Sequence, residues 1–189
     1  ADAGTSLAMD HGSHETQWMF AYGIDLFGLP TFHWPKLIDQ EFFMPPGCSY
    51  LIRREVFEKL GGFDPEIFMY ADEFDLSWRL WISGGKAVVI PSSRLHHRGS
   101  AHVNPVGGEK VIEFRTSAMK RYYTNRNCLI ALFKNAHSWL LFASLLQIFL
   151  LLIESFAALL LIRNWTFVRK AYLEALRDWW RLRHRILAQ

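Results

Sequence analysis

Apolar residues change their spacing several times along this chain. Through residues 1–46 no period holds, because Gly23, Gly28, Pro30, Pro35, Pro45 and Pro46 interrupt it. That stretch is expected to be irregular. Residues 49–53, Ser-Tyr-Leu-Ile-Arg, have the content of a short buried strand. Residues 54–60 read as a short helix stopped by Gly61-Gly62. Asp64 precedes Pro65 and is placed to cap the turn that follows. Residues 72–83 read as a second helix. Acids open it, where its dipole is positive, and Leu76, Leu80 and Trp81 recur at core-facing spacing. Gly84-Gly85 stop it. Lys86 to Pro91 reads as a strand, and Arg94–His102 as a histidine-rich loop. Short strands alternating with helices point to part of an α/β sheet.

The second half reads differently. Residues 110–135 form a polar-to-amphipathic helix. Trp139–Ile162 is almost wholly apolar and about the length that spans a bilayer. Gln147 and Glu154 break it, and with Ser144 and Ser155 they make a weak polar stripe. Residues 165–187 read as an amphipathic helix, with Val168, Tyr172, Leu176, Trp179 and Ile186 on one face and arginines opposite. Tryptophans beside arginines suit a helix lying at a membrane interface. The boundaries expected from these changes are 1–108, 109–137 (connecting helix), 138–163 (membrane helix) and 164–189 (basic tail helix). There is no internal repeat.

Composition and charge sharpen this picture. A chain of 189 residues suits about one domain, and 51% hydrophobic residues fill a core with apolar surface to spare. The chain starts at Ala1 in a Gly/Ser/His-containing stretch without the apolar run of a secretory signal peptide. It reads as a fragment whose beginning is missing, in preference to a processed chain. Cys48 and Cys128 have neither metal-ligand nor disulfide-framework spacing and fit a reducing compartment. Positive charge gathers after residue 162, in Arg163, Arg169, Lys170, Arg177, Arg181, Arg183 and Arg185, opposed by Glu174 and Asp178. Coming after a long apolar run, that cluster suits anionic membrane lipids and not nucleic acid. Lys120, Arg121, Arg126 and Lys134 lie on the other flank, so the charge rule leaves both a single span and an in-plane or re-entrant helix open. A buried helix of a soluble protein is the third reading.

Chemistry concentrates in Tyr70-Ala71-Asp72-Glu73-Phe74-Asp75-Leu76-Ser77-Trp78-Arg79. Three carboxylates in one helical turn repel each other, so one is expected to titrate abnormally or to sit beside a cation. Such a group serves as a general base or joins a metal site. The plainer alternative is that Asp72 and Glu73 only open a helix. Asp75 stands one turn before Arg79, where an intrahelical ion pair forms. Trp78 reads as core. His96 and His97 adjoin a strand end, and neighbouring side chains diverge, so one of them, assigned as His96, points inward.

The order of these pieces resembles the inverting family-2 glycosyltransferases of GT-A type, rhamnosyltransferase-like, over approximately residues 20–135. Gly23-Ile24-Asp25 and Phe27-Gly28-Leu29-Pro30 resemble the loop after that family's metal-binding Asp-x-Asp. Gly47-Cys48-Ser49-Tyr50-Leu51-Ile52-Arg53 resembles the strand under the acceptor site. Gly61-Gly62-Phe63-Asp64, the acidic helix, Gly84-Gly85, His96-His97-Arg98-Gly99-Ser100, and finally Tyr122-Tyr123, Arg126-Asn127 and Lys134-Asn135 follow in the family's order. The family's Glu-Asp pair is here Asp72-Glu73, so Glu73 stands at the catalytic aspartate's place, and Glu73 and Asp72 both remain candidates for the base. The resemblance implies the acceptor-side, C-terminal half of such a fold followed by membrane-associated helices. It implies a nucleotide-diphospho-sugar donor, Mg²⁺ or Mn²⁺ with His96 at the metal site, and support of the acceptor side by Asp75, Arg79 and Gly47. It also implies a glycan or lipid-linked acceptor of the bacterial cell surface, at the cytoplasmic face of the membrane. No Asp-x-Asp and no Gly-rich phosphate loop precede residue 47, so the fragment alone is expected to turn over little or nothing. A non-catalytic membrane-associated module and a metal-dependent hydrolase using Asp72, Glu73 and His96 are the rival readings.

Overall fold

A computed structural model describes residues 8–11, 14–17, 20–24, 30–33, 41–45, 47, 50–88, 117–137 and 141–187, the first four segments as backbone. The loop 94–102 with His96 and His97, Cys48, and the end of the expected strand at Pro91 lie outside the described residues.

Residues 8–33, expected to be irregular, instead contain two antiparallel hairpins. Strand β1 (Ala8–His11) pairs with β2 (His14–Gln17), Ala8 facing Gln17. Strand β3 (Phe20–Ile24) pairs with β4 (Pro30–His33), with a register shift between Ala21 and Gly23. The glycine and proline that argued against order suit a bulge and the first residue of a strand. Strand β5 (Glu41–Phe42) pairs antiparallel with a later strand, β6 (Ala87–Val88). A Lys86–Glu41 ion pair adjoins them. The expected strand at 49–53 is not formed. Leu51–Arg53 has no ladder partner and Leu51 is 66% exposed, so its apolar content does not reach the core.

Helix α1 (Arg54–Lys59) ends as expected. The amides of Gly61 and Gly62 turn back to Glu58 O and Phe57 O, and both glycines take positive φ, 82° and 72°. Asp64 Oδ1 accepts from the Glu66 amide at 2.9 Å, the anticipated cap. Helix α2 (Asp72–Ile82) follows. Helix α3 (Ala118–Asn135) is capped by Ser117, which accepts from the Lys120 amide. Helix α4 (Leu141–Ile162) ends at Arg163, φ 52°. Asn164 then caps α5 (Trp165–Val168) by accepting from the Phe167 amide at 3.0 Å. A π-helical segment, Arg169–Glu174, leads into α6 (Ala175–Leu187). The described residues are therefore mostly helical, and the expected α/β sheet is present among them only as short strand pairs.

Two apolar clusters share α3. One joins Leu129 and Ile130 to Ile67, to Leu151 and Ala158 of α4, and to Val168, Tyr172, Trp179 and Ile186. The other joins Ala131 and Leu132 to Phe43, Phe74, Trp78 and Ala143. Trp78 is core, as expected. The apolar face expected on 165–187 is also real, but it is spent on protein. That corrects the reading of this segment as a helix whose own apolar stripe lies on lipid. The polar stripe of α4 turns inward too: Ser144, Gln147 and Ser155 are buried, and Glu154 meets Arg121 of α3 at 2.9 Å.

Asp75 ties α2 to this framework. Its side chain is fully buried and accepts from Arg79 (Nη2 2.6 Å, Nε 3.0 Å) and from Asn135 Nδ2 at 2.8 Å, with Lys134 Nζ at 3.4 Å. Lys134 also reaches Asp64 Oδ2 at 2.7 Å, and Arg79 donates to Leu60 O. Removing Asp75 from this buried set takes away the only carboxylate that Arg79 meets among the described residues, which is the costly case. Asp75→Ala is expected to lower unfolding stability by about 3 kcal/mol. Arg54→Ala, at the exposed Arg54–Glu58 pair, should cost less than about 0.5 kcal/mol. Urea unfolding of both variants checks the contrast.

Candidate active site

The approach to α2 is backbone that most residues avoid. Phe68, Tyr70 and Ala71 all have φ 62°, the left-handed region, and none is glycine. Such strain persists only where surroundings over-determine it. Here α3 does so. Asn127, fully buried, donates through Nδ2 to Ile67 O (2.8 Å), Met69 O (2.6 Å) and Tyr70 O (2.8 Å). Arg126 Nη2 donates to Glu66 O (2.8 Å) and Ile67 O (3.2 Å). Ala71 then starts the helix, accepting from the Asp75 amide at 3.1 Å, without a side-chain cap. Asp72 and Glu73 are thereby placed at the positive end of the helix.

Glu73 is the perturbed group. Its carboxyl is raised to about 7, chiefly by burial, then by the Asp72 charge and a hydrogen bond with the Asp72 side chain. A bond from its own backbone amide works the other way. Gly47 lies against this carboxylate: a Cβ there would stand 2.8 Å from Glu73 Oε1 and 2.9 Å from Cδ. Only a residue without a side chain admits so close an approach. Tyr50 is pushed well above the usual phenol range by burial, and by Asp72 and Glu73. Cys128, buried on α3, is pushed up to about 12 by burial, with Glu73 adding to it. A carboxylate poised near neutrality and partly withdrawn from water is suited to take and release a proton.

The expected residues separate into two groups. Asp72, Glu73 and Gly47 come together. Asp75 and Arg79 pair with each other and, through Asn135 and Lys134, hold the helix to α3. His96 lies outside the described residues. Among the described residues no three His, Cys, Asp or Glu side chains gather to hold a metal ion. Reasoning from sequence gave no role to Tyr50 or to Asn127. Asn127 and Lys134 stand seven residues apart, two turns along one face, on either side of the apolar run Cys128–Leu132. That polar pair framing buried residues is the signal that could have found them. A cleft of about 520 Å³ flanks α2, lined by Tyr50, Leu51, Val56, Leu76, Leu80 and Lys86 among others. Neither Asp72 nor Glu73 lines it, so the cleft is not the seat of the acidic pair.

No protein-family model matches this chain. Segments of it are homologous to glycosyltransferases. A segment of 53 residues is 43% identical to an N-acetylglucosaminyl-diphospho-decaprenol L-rhamnosyltransferase of Mycobacterium tuberculosis, covering 28% of this chain and 17% of that protein. Over an alignment of 137 positions the chain is 27% identical to a putative polypeptide N-acetylgalactosaminyltransferase 10 of Drosophila melanogaster, covering 65% of this chain and 21% of that protein. A segment of 52 residues is 40% identical to the human polypeptide N-acetylgalactosaminyltransferase 9, covering 27% and 9%. The chain thus matches less than a quarter of the length of each of these proteins.

Two outcomes follow from the geometry. Glu73 binds its proton more tightly folded than unfolded, so its contribution favours the fold at low pH and is lost as pH rises from the ordinary carboxylate range through about 7. Glu73→Gln should abolish that loss and gain on the order of 2 kcal/mol over the parent at pH 8, read by urea unfolding at pH 5 and pH 8. Gly47→Ala should keep the fold but drive the Glu73 carboxylate outward. Its titration midpoint, followed by carbon NMR of the side-chain carboxyl, should fall toward the ordinary range.

Proposed function

We propose that this chain is the acceptor-side part of an inverting family-2 glycosyltransferase with a GT-A type fold, and that Glu73 is its general base. The observation that carries the reading is the Glu73 carboxylate, held between Gly47 and Asp72 with its pKa raised to about 7, in a chain with segments homologous to sugar transferases. In this mechanism an acceptor hydroxyl enters beside Glu73. Glu73 takes its proton as the oxygen attacks the anomeric carbon of the donor. The bond to the nucleoside diphosphate breaks, that group leaves with its electron pair, and the centre inverts. Asp72 keeps Glu73 basic by like-charge repulsion, and Asn127 and Arg126 hold the turn that aims it.

The donor is a nucleotide-diphospho-sugar, bound largely by parts of the parent enzyme outside these residues. The sugar transferred is a hexose or deoxyhexose. A lipid-linked or envelope-glycan acceptor fits the diphospho-decaprenol substrate named for the mycobacterial relative. Mg²⁺ or Mn²⁺ would offset charge on the leaving diphosphate, with His96 as this chain's contact. The described residues gather no ligand set for an ion, so no step is assigned to it. The apolar helix α4 supports a place at a membrane, and its cytoplasmic face is what the resemblance to the transferase family implies. The reversed order Asp72-Glu73 favours one alternative, a non-catalytic membrane-associated module derived from such an enzyme.

In the complete parent enzyme, Glu73→Gln is expected to lower transfer by about 10²-fold or more with donor binding kept. The kcat/KM of the parent should fall below about pH 7, as Glu73 takes up its proton, and Asp72→Asn should move that limb to lower pH. Radiolabelled sugar transfer across a pH series reads all three. Unchanged transfer by Glu73→Gln would favour the module.

A further inference from the structure

The exposed and buried faces of α4 have the reverse of the usual polarity. Phe142, Leu145, Phe149, Leu152, Ile153, Phe156, Leu160 and Leu161 are all exposed, Phe149 at 61% and Leu161 at 72%. They recur at helical spacing along one side. The polar residues of the helix, Ser144, Gln147, Ser155 and half-buried Glu154, lie on the side packed against protein. A water-facing helix has the opposite arrangement. A face of this kind suits hydrocarbon. Its end carries exposed Trp165 and exposed Arg163, the pairing found where a helix meets lipid headgroups. The cations of residues 163–185 complement an anionic lipid surface.

The 22 residues of α4 would reach about 33 Å, enough to cross a bilayer. What lies beside them opposes crossing. Arg121, near the start of α3, meets Glu154 in the second half of α4 at 2.9 Å. Ala131 and Leu132, near the end of α3, share a cluster with Ala143 at the start of α4. The two helices therefore run antiparallel, side by side. If α4 stood upright, α3 would stand with it. Glu154, eight residues or about 12 Å from the end of α4, would sit near the bilayer centre with Arg121. Charge at that depth in hydrocarbon carries a high cost. Lying flat, α4 buries its apolar face and leaves both of these groups on the water side.

We propose that α4 lies in the plane of an anionic membrane, its Phe142–Leu161 face in one leaflet, and does not cross it. This rests on the membrane location proposed above. The test places a fluorophore on Phe142→Cys, Phe149→Cys and Phe156→Cys in turn, with Cys48→Ala and the buried Cys128 kept. The full chain is bound to vesicles of phosphatidylglycerol and phosphatidylcholine bearing a shallow or a deep acyl-chain nitroxide. The expected result is equal depth at all three positions, each quenched more by the shallow nitroxide, with binding about tenfold weaker or more when phosphatidylglycerol is omitted. A depth maximum at Phe149 would overturn the in-plane helix and leave the membrane location standing. Absence of vesicle binding would overturn both. His137→Cys and Thr166→Cys provide a check that leaves the apolar face intact. In sealed membranes from expressing cells, an impermeant thiol reagent added from one side should label both, and labelling from opposite sides would overturn the proposal.

Discussion

The carboxylate of Asp75 is the constraint on which the rest of the described structure depends. It is fully buried, and a buried charge is tolerable only when its partners are complete. Arg79 satisfies it from its own helix, while Asn135 and Lys134 satisfy it from α3. Because the partners come from two helices, the charge fixes how α2 lies on α3. Lys134 then reaches Asp64, so the turn before α2 is drawn into the same set. Apolar packing of Phe74, Trp78, Ala131 and Leu132 closes the contact, and the polar set gives it a unique geometry.

From that junction α3 works in both directions. Toward the acidic end, Arg126 and Asn127 hold carbonyls of residues 66–70 in a left-handed turn that three non-glycine residues would otherwise leave. The strain is local, and its effect is to deliver Glu73 to the carboxylate of Asp72 and the bare backbone of Gly47. Toward the C-terminus, Leu129 and Ile130 give α4 and α6 a common wall. The acidic pair and the apolar face of α4 are thus attached to one helix.

Much was legible residue by residue. The glycine stop after α1, the Asp64 cap, the acidic start of α2 and the Asp75–Arg79 pair are local, and local rules reached them. The stripe Ser144, Gln147, Glu154 and Ser155 was also visible, as was the apolar face of Val168, Tyr172, Trp179 and Ile186. The hairpins of residues 8–33 were missed because proline and glycine were read only as breakers. The strand at 49–53 was wrongly expected because its short apolar run has no ladder partner.

By itself the sequence determined the helices, their stops and the clustering of acids in one turn, since these depend on neighbours a few positions apart. Tertiary structure decided which acid does what. Asp72, Glu73 and Asp75 are chemically alike and adjacent in sequence. One points to α3, where cations and an amide compensate it, and another lies against Gly47 and Asp72, where burial and like charge raise its pKa. The same holds for the apolar faces of α4 and α6, which look alike as patterns. Only packing settled that α3 covers the second and leaves the first open, because burial depends on partners that are distant along the chain.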